Sequence, residues 1–589
     1  NQLANLDIND MDGIPDSYLC PINHVLMEFP VLAEDGNTYE KSAIEQWIRT
    51  KPISPMDNRT PLSLDRLVPN RALKDAIDII RKNFENLVVE RSKSVLEEST
   101  KHLIPSINFT TRHFQSKKDD NITNLMVTIK ASDPLTRPPA HICCTIDTSG
   151  SMGRDATIKN ESGMTENDGL SLLDIVKHGV RTIIENLGEN DYISIISYSN
   201  NAKIVVDTMK MTKENKKIAT DKLNMLHPDY QTNFWDGLSK SLKCIEKAQH
   251  LVKNSSVFIL TDGQPNIIPP KGNINTFKKY LDKHNIKCSV NTYGFGFYDI
   301  DSTELNEISN LGNGTYNYIS DSSMLGTTFV NTLSNTLTSF ESNMILKVVL
   351  PEGIIFEDGG YQNNFDMKTN EWEYENIKLG SFHYGQEKNI ILTFNRDTST
   401  EQNIELYLEM NDIDYYASLS HKISNEPVVY DENVVNKFII QRMRFSLLNS
   451  IKNIIDTYKH YKSIDHIFTI SNSWRLSSPK IEKLIERSQI SRFDEIKKYA
   501  SDINSDFIQV KEAIQIGSDN FKKWGYHYLL SLYGAHLMEE CNNFKDPGVQ
   551  YYGGAQFGEI RDNADEIFCN LPAPEPSNRP NYGTGYRGG

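Results

Sequence analysis

The chain has 589 residues, with 62 Lys and Arg against 78 Asp and Glu, a net charge of −16. That length allows about three to five domains, and 38% hydrophobic with 24% charged residues is the make-up of folded, soluble protein. The acidic balance argues against a general nucleic-acid binder, which needs a basic face, and no apolar run approaches the ~18–20 residues of a bilayer span.

The first ten residues are acidic and lack the basic-then-apolar plan of a secretory leader. With no initiator Met, the sequence reads as a fragment, a processed form or a trimmed form. Seven Cys, an odd number thinly spread, make no disulfide framework. The expected setting is a reducing one, cytoplasmic or nuclear, with a component of a virion or other particle as the open alternative. Pattern divides the chain into six stretches: 13–86, a compact mixed unit; 87–137, a polar connector followed by strands; 138–338, alternating strands and helices; 342–425, strands; 428–545, helices; and 546–589, an irregular tail rich in Gly, Pro, Tyr and Asn.

In the first stretch, Asp35-Gly36 between apolar segments predicts a hairpin over 24–40. Ala43, Ile44, Trp47 and Ile48 recur at helical spacing, Ser54-Pro55 opens a loop, and Asn70 caps a second helix with Leu73, Ile77, Ile80 and Phe84 on one face. A unit this small usually needs staples, often zinc. One Cys (Cys20) and one His (His24) cannot build a closed tetrahedral site, so no zinc is expected and polar side chains must hold the loops. The run Cys20-Pro21-Ile22, Met27, Pro30-Val31, Gly36–Tyr39, Ala43-Ile44, Trp47, Ser54-Pro55 and Leu67–Asn70 resembles the U-box family, in order and in spacing. The resemblance implies a ubiquitin ligase, a RING-type ubiquitin transferase that docks a charged ubiquitin-conjugating enzyme and contributes no covalent catalytic residue. It further implies that Ile22 and Pro55, with His24 and Trp47 beside them, contact that enzyme, and that Arg59 is the thioester-orienting cation. His24 stands where many members carry a larger apolar residue, and the loop of Arg59 is one residue longer than the usual pattern.

The third stretch alternates buried strands (141–146, 192–198, 257–260, 288–293) with amphipathic helices (170–187, 233–250), which predicts a doubly wound, mostly parallel sheet. Ligands of such sheets sit beyond the carboxyl ends of strands, where Asp147 and Asp262 fall. With Ser149, Ser151 and Thr232 they form an all-oxygen set suited to Mg²⁺ or Mn²⁺, completed by water or by a partner's carboxylate. Asp147-x-Ser149-x-Ser151, Thr232 within Gln231–Gly237, and Asp262 after a later strand resemble the von Willebrand factor A domain and its metal-ion-dependent adhesion site. The polar stretch Gly153–Gly169 departs from that pattern as an insertion.

The strands of 342–425, with those of 103–130, predict a small β-sandwich, and Val435, Ile439, Met443, Leu447, Ile451 and Ile454 line one helical face. The fold class is therefore multidomain α/β: a small α+β U-box, a doubly wound parallel-sheet A domain, a β-sandwich-like segment and a C-terminal helical region. The function this implies is a ubiquitin ligase that binds a protein partner bearing an acidic residue through Mg²⁺. The alternative is a non-catalytic adhesion, scaffold or particle-assembly protein with a vestigial U-box.

Overall fold

The computed structural model describes residues 15–82, 105–115, 122–134, 137–159, 165–296, 300–350, 355–358, 368–370, 372–395, 402–410, 413, 415–423, 431–461, 467–516, 519–574 and 576. The chain divides into two units, residues 1–101 and 102–589.

In the first unit, β1 (Pro30–Leu32) and β2 (Thr38–Glu40) pair antiparallel with Val31 opposite Tyr39. Gly36 turns the loop between them at φ +79°, where a side chain is disfavoured. The hairpin is shorter than the 24–40 expected, because the Glu28 and Phe29 amides donate to the Glu40 carboxylate (2.6 and 2.9 Å) and so form a loop instead of a ladder. α1 (Lys41–Thr50) follows β2 directly and buries Ile44 and Ile48. β3 (Val68–Pro69) pairs with the other edge of β1. Asn70 Oδ1 accepts from the Leu73 amide at 3.1 Å, capping α2 (residues 71–82), whose Ile77 reaches the core with Cys20, Met27 and Tyr39. Phe84 lies outside the described residues.

The second unit begins with the antiparallel pair β4 (Ile107–Gln115) and β5 (Ile122–Ala131). Then come β6 (Ala140–Asp147), a hairpin of β7 (Asp155–Lys159) and β8 (Thr165–Ser171), α3 (Leu172–Asn186), β9 (Tyr192–Tyr198), β10 (Ala202–Lys210), α4 (Lys213–Asn224) and α5 (Phe234–Ala248). The α/β layer is completed by β11 (Asn254–Thr261), α6 (Asn273–Lys283), β12 (Ser289–Phe295), α7 (Ser302–Leu311), β13 (Tyr316–Ile319) and α8 (Leu325–Thr338). The sheet order is β10-β9-β6-β11-β12-β13, parallel throughout except at β10. Alternation within β6 explains the double winding: Ile142, Cys144 and Ile146 enter one core and Cys143 the other, so both faces need covering helices. Within the expected insertion Gly153–Gly169, the described residues pair as β7 and β8, which lead into α3.

β14 (Ser339–Val349) follows α8 without a linker. With β15 (Ile355–Asp358), β16 (Lys368–Asn370), β17 (Trp372–His383), β18 (Glu387–Asn395), β19 (Gln402–Met410) and β20 (Tyr415–Ile423) it builds two sheets, β16-β17-β14-β19-β20 and β15-β18-β5-β4. They share one core that includes Leu125, Val127, Leu346, Ile390 and Leu406. Because β4 and β5 precede the α/β layer in the chain, that layer is inserted into the sandwich between β5 and β14.

α9 (Glu432–Tyr461) serves two cores: Met443, Leu447 and Ile451 face the α/β layer's cluster, while Phe445 and Leu448 face the sandwich. α10 (Ile467–Ser477), α11 (Pro479–Gln489), α12 (Asp494–Ala513) and α13 (Tyr526–Met538) pack around it. The tail expected to be irregular over 546–589 contains α14 (Ala555–Asn570). Its apolar residues Phe557, Ile560, Ala564 and Phe568 recur every three or four positions, a helical period diluted by Gly, Asp and Asn. Phe568 packs against α8 and stands edge-on to His178 of α3, their centroids 5.2 Å apart.

Where sandwich and helices meet, Arg444 is fully buried. Its Nη1 lies 3.1 Å from the Glu539 carboxylate and donates to the His536 carbonyl (2.9 Å), while Nη2 donates to the Asn389 carbonyl (3.0 Å). Arg444→Ala strands a buried carboxylate and is expected to cost about 3–5 kcal/mol, measured as a lowered urea midpoint with the m-value unchanged.

Candidate functional site

Asp147 ends β6, and Asp262 follows the last residue of β11, the strand paired in parallel beside it. Register alone therefore sets two buried carboxylates side by side at the carboxyl edge of the sheet. Asp147 Oδ1 accepts from the Ser149 amide at 2.8 Å, and its Oδ2 accepts from Thr261 Oγ1 at 2.6 Å. Ser149 Oγ and Ser151 Oγ share a hydrogen bond of 3.0 Å, and Ser151 Oγ donates to Asp262 Oδ1 at 2.8 Å. The structure thus links Ser149, Ser151 and Asp262 through side-chain oxygens and joins Asp147 to them through the Ser149 amide. Thr232 is buried on the neighbouring loop: its amide donates to Asn266 Oδ1 (2.9 Å), and its carbonyl accepts from the Asn266 and Ile267 amides (3.1 and 3.2 Å). That loop is fastened to the first by Asp229 N–H donating to the Thr148 carbonyl (2.6 Å) and Gly150 N–H donating to the Tyr230 carbonyl (3.3 Å). A Cβ on Gly237 would meet the Tyr198 ring at 2.7 Å, so its absence lets the start of α5, and with it Thr232, approach β9.

Burial first, and then the neighbouring Asp262 charge, push the Asp147 carboxyl up to about 7, against the lowering effect of its hydrogen bonds from Thr261 and Ser149. Two such carboxylates repel each other, and a hard divalent cation relieves both terms. The donor set fits one. The O···O spacings of 3.0 and 2.8 Å are close to the edge of an octahedron with bonds of ~2.1 Å, which is about 3.0 Å. Among the described residues no three His, Cys, Asp or Glu side chains converge as a metal-binding group. A cation here would have to be held by two carboxylates and hydroxyls, Asp147, Asp262, Ser149 and Ser151.

In the first unit, Ile22 and Trp47 are half-buried, each resting on the core and keeping part of its surface in solvent. The Trp47 indole Nε1–H donates to the Ile53 carbonyl at 2.9 Å, which ties α1 to the loop carrying the half-buried Pro55. His24 is exposed and left-handed at φ 57°, a region where His is enriched over apolar residues. Arg59 is exposed and makes no ion pair among the described residues.

The loops around these residues are stapled by two acids, Asp35 of the Asp35-Gly36 turn and Asp57. Asp35 accepts from Tyr39 Oη (2.6 Å), Ser54 Oγ (2.5 Å) and the Asn37 amide (3.0 Å), joining the hairpin tip to the Pro55 loop. Burial raises the Asp35 carboxyl, but the bonds from Ser54, Tyr39 and Asn37 together outweigh it, and the group lies below its ordinary value. Asp57 accepts from the Arg59 and Thr60 amides (2.7 and 2.9 Å) and fixes the turn before Arg59. The missed signal was Asp or Ser two to three residues before the amide it holds, the spacing of Asx and ST turns. Thr261 was missed because it precedes the more conspicuous Asp262.

Comparison with known proteins matches residues 14–84 to the U-box domain, 143–264 to the von Willebrand factor type A domain, and 496–566 to a family described as VWA / Hh protein intein-like. The last match spans the helical residues of α12 to α14. The zebrafish (Danio rerio) WD repeat, SAM and U-box domain-containing protein 1 is 54% identical over 67 residues, 11% of this chain and 14% of that protein. A probable bifunctional E2/E3 enzyme of Acanthamoeba polyphaga mimivirus is 38% identical over 112 residues, 19% of this chain and 8% of that protein. A solved von Willebrand factor type A protein from Catenulispora acidiphila aligns with 74% of this chain and 96% of its own, at 12% identity and a TM-score of 0.49. The chain carries a U-box domain and a von Willebrand factor type A domain.

Two outcomes follow for stability. Asp35→Asn is expected to melt below wild type at pH 7. Because the folded carboxyl is depressed, that gap is present above its unfolded value near 3.8 and closes as pH falls through the folded one; melts from pH 7 to 3 read it. Asp147 behaves oppositely. Its folded carboxyl is raised to about 7, so with chelator present wild type loses stability as pH rises from 6 to 8, and Asp147→Asn loses less over the same range.

Proposed function

We propose that this protein is a RING-type ubiquitin transferase whose U-box docks a charged ubiquitin-conjugating enzyme and whose A domain holds a protein partner or substrate. The observation that carries the reading is the half-buried set Ile22, Trp47 and Pro55, with the Pro55 loop held to α1 and to the hairpin tip by hydrogen bonds, within a domain 54% identical over 67 residues to a U-box protein. Ile22 and Pro55, with His24 and Trp47 alongside, form the apolar contact. Arg59 orients the thioester from a turn pre-set by Asp57. Such a ligase contributes no nucleophile and works by orientation and charge placement.

In the A domain, Asp147, Ser149, Ser151, Thr232 and Asp262 hold Mg²⁺ or Mn²⁺, and the cation supplies a Lewis-acidic contact for a carboxylate of the partner. Thr261 and the Ser149 amide fix the two oxygens of Asp147, and burial keeps competing water from the inner side of the site.

Ubiquitin discharge to free lysine from a panel of conjugating enzymes tests the first half. Ile22→Ala or Pro55→Ala is expected to lower the rate about tenfold or more with the melting temperature unchanged. Arg59→Ala is expected to lower it without weakening enzyme binding. Absence of discharge with every enzyme sinks the ligase reading and favours the scaffold alternative. Mn²⁺ binding followed by electron paramagnetic resonance tests the second half: binding is expected in wild type and lost in Asp147→Ala, and no binding by wild type refutes it.

A further inference from the structure

The Thr232 loop and the loop after β11 that is hydrogen-bonded to it each present a large apolar side chain to solvent. Tyr230 is 79% exposed and Ile268 is 55% exposed. Among the described residues of 138–338, Tyr230 is the most exposed large apolar side chain, although the backbone beneath it is held at several points. Its carbonyl accepts from Gly150 of the Asp147–Ser151 loop (3.3 Å), and its amide donates to Asp229 Oδ1 (2.9 Å). Asp229 is in turn held by Ser199 Oγ (3.0 Å) and by its own amide on the Thr148 carbonyl. The next residue, Gln231, donates its amide to Asn200 Oδ1 (3.1 Å). Ile268 follows Ile267, whose amide is pinned to the Thr232 carbonyl, and Pro265, Pro269 and Pro270 stiffen its loop.

Burying neither side chain costs the isolated fold hydrophobic stabilisation, and nothing in the hydrogen bonding around them requires Tyr or Ile. Rigid aromatic and branched side chains on ordered loops are efficient anchors, because little conformational entropy remains to be lost on contact. They border an oxygen cluster that recognises negative charge only once a cation is bound. The complementary partner therefore combines a carboxylate with neighbouring apolar surface.

We infer that Tyr230 and Ile268 are specificity-determining residues that select a peptide segment of another protein in which an Asp or Glu is flanked by apolar side chains. The inference rests on the proposed cation site and adds to it the chemistry of the flanks.

The test uses the full chain and an array of short peptides with a fixed central Asp and flanks varied through apolar, Gly/Ser and basic residues, probed in Mg²⁺ and in EDTA. Apolar-flanked peptides are expected to bind about tenfold more tightly than Gly/Ser-flanked ones, only in Mg²⁺. The double variant Tyr230→Ser, Ile268→Ser is expected to erase that difference while its Mn²⁺ affinity by paramagnetic resonance stays at the wild-type value. Tyr230→Phe is expected to retain the preference. A preference indifferent to the flanks, one that survives the double variant, or Mn²⁺ binding with no peptide bound overturns the inference and leaves the cation site standing. A dimer in sedimentation that is lost on Tyr230→Ser overturns it by making a second copy the occupant. Failure of wild type to bind Mn²⁺ removes the cation site and this inference with it.

Discussion

Arg444 has no exposed surface, and the joint between sandwich and helices is organised by what neutralises it. From α9 it reaches a carbonyl of β18, a carbonyl of α13 and the carboxylate of Glu539. Glu539 is the left-handed residue that caps the end of α13, at φ 53°, a backbone cost of order 1 kcal/mol. Lys388, in β18, donates from the same joint to the Leu379 and Met538 carbonyls (2.7 and 2.6 Å), and Gln386 donates to the Glu539 carbonyl (2.7 Å). Hydrogen bonds are directional where apolar contact is not. A joint built this way holds one orientation, and that orientation lets α9 bury Phe445 in one core and Leu447 in another.

The same chemistry produces opposite results at two other carboxylates. Asp35 lies among donors from its own domain, its charge is satisfied internally, and its carboxyl sits below the ordinary value. Asp147 is more deeply buried, lies beside a second carboxylate, and is pushed up to about 7 despite its own donors. The first arrangement is a structural staple whose work is complete within the fold. The second is a buried carboxyl whose desolvation and nearby like charge the hydrogen bonds from Thr261 and Ser149 only partly offset. The Thr232 loop is tied to the Asp147–Ser151 loop beside it by two backbone hydrogen bonds.

Much of this was legible in residue order. The strands around Ile142, Ile195 and Ile259 stood out because a parallel strand buried on both faces is a short unbroken apolar run, and Asp147 and Asp262 were placed because each directly follows such a run. The helix around Phe568 was not legible: its four apolar residues are diluted by Gly, Asp and Asn, and only α8 and α3 give them something to pack on. The hairpin is shorter than 24–40, and no local pattern reveals that the Glu40 side chain takes the Glu28 and Phe29 amides out of the ladder.

Order along the chain thus determined the two recognisable domains, the alternation that makes the central sheet doubly wound, and which oxygens stand at its carboxyl edge. All of these follow from local periodicity and from residues within a few positions of one another. Tertiary structure alone decided that the α/β layer is inserted into the sandwich, that a tail rich in turn-forming residues contains a docked helix, that Arg444 meets Glu539 across 95 positions of sequence, and that the loop of Ile268 comes to lie beside Thr232. Those outcomes depend on contacts between residues far apart in the chain, whose energies are set by burial and by the partner each side chain finds, and neither is written in the identity of its neighbours.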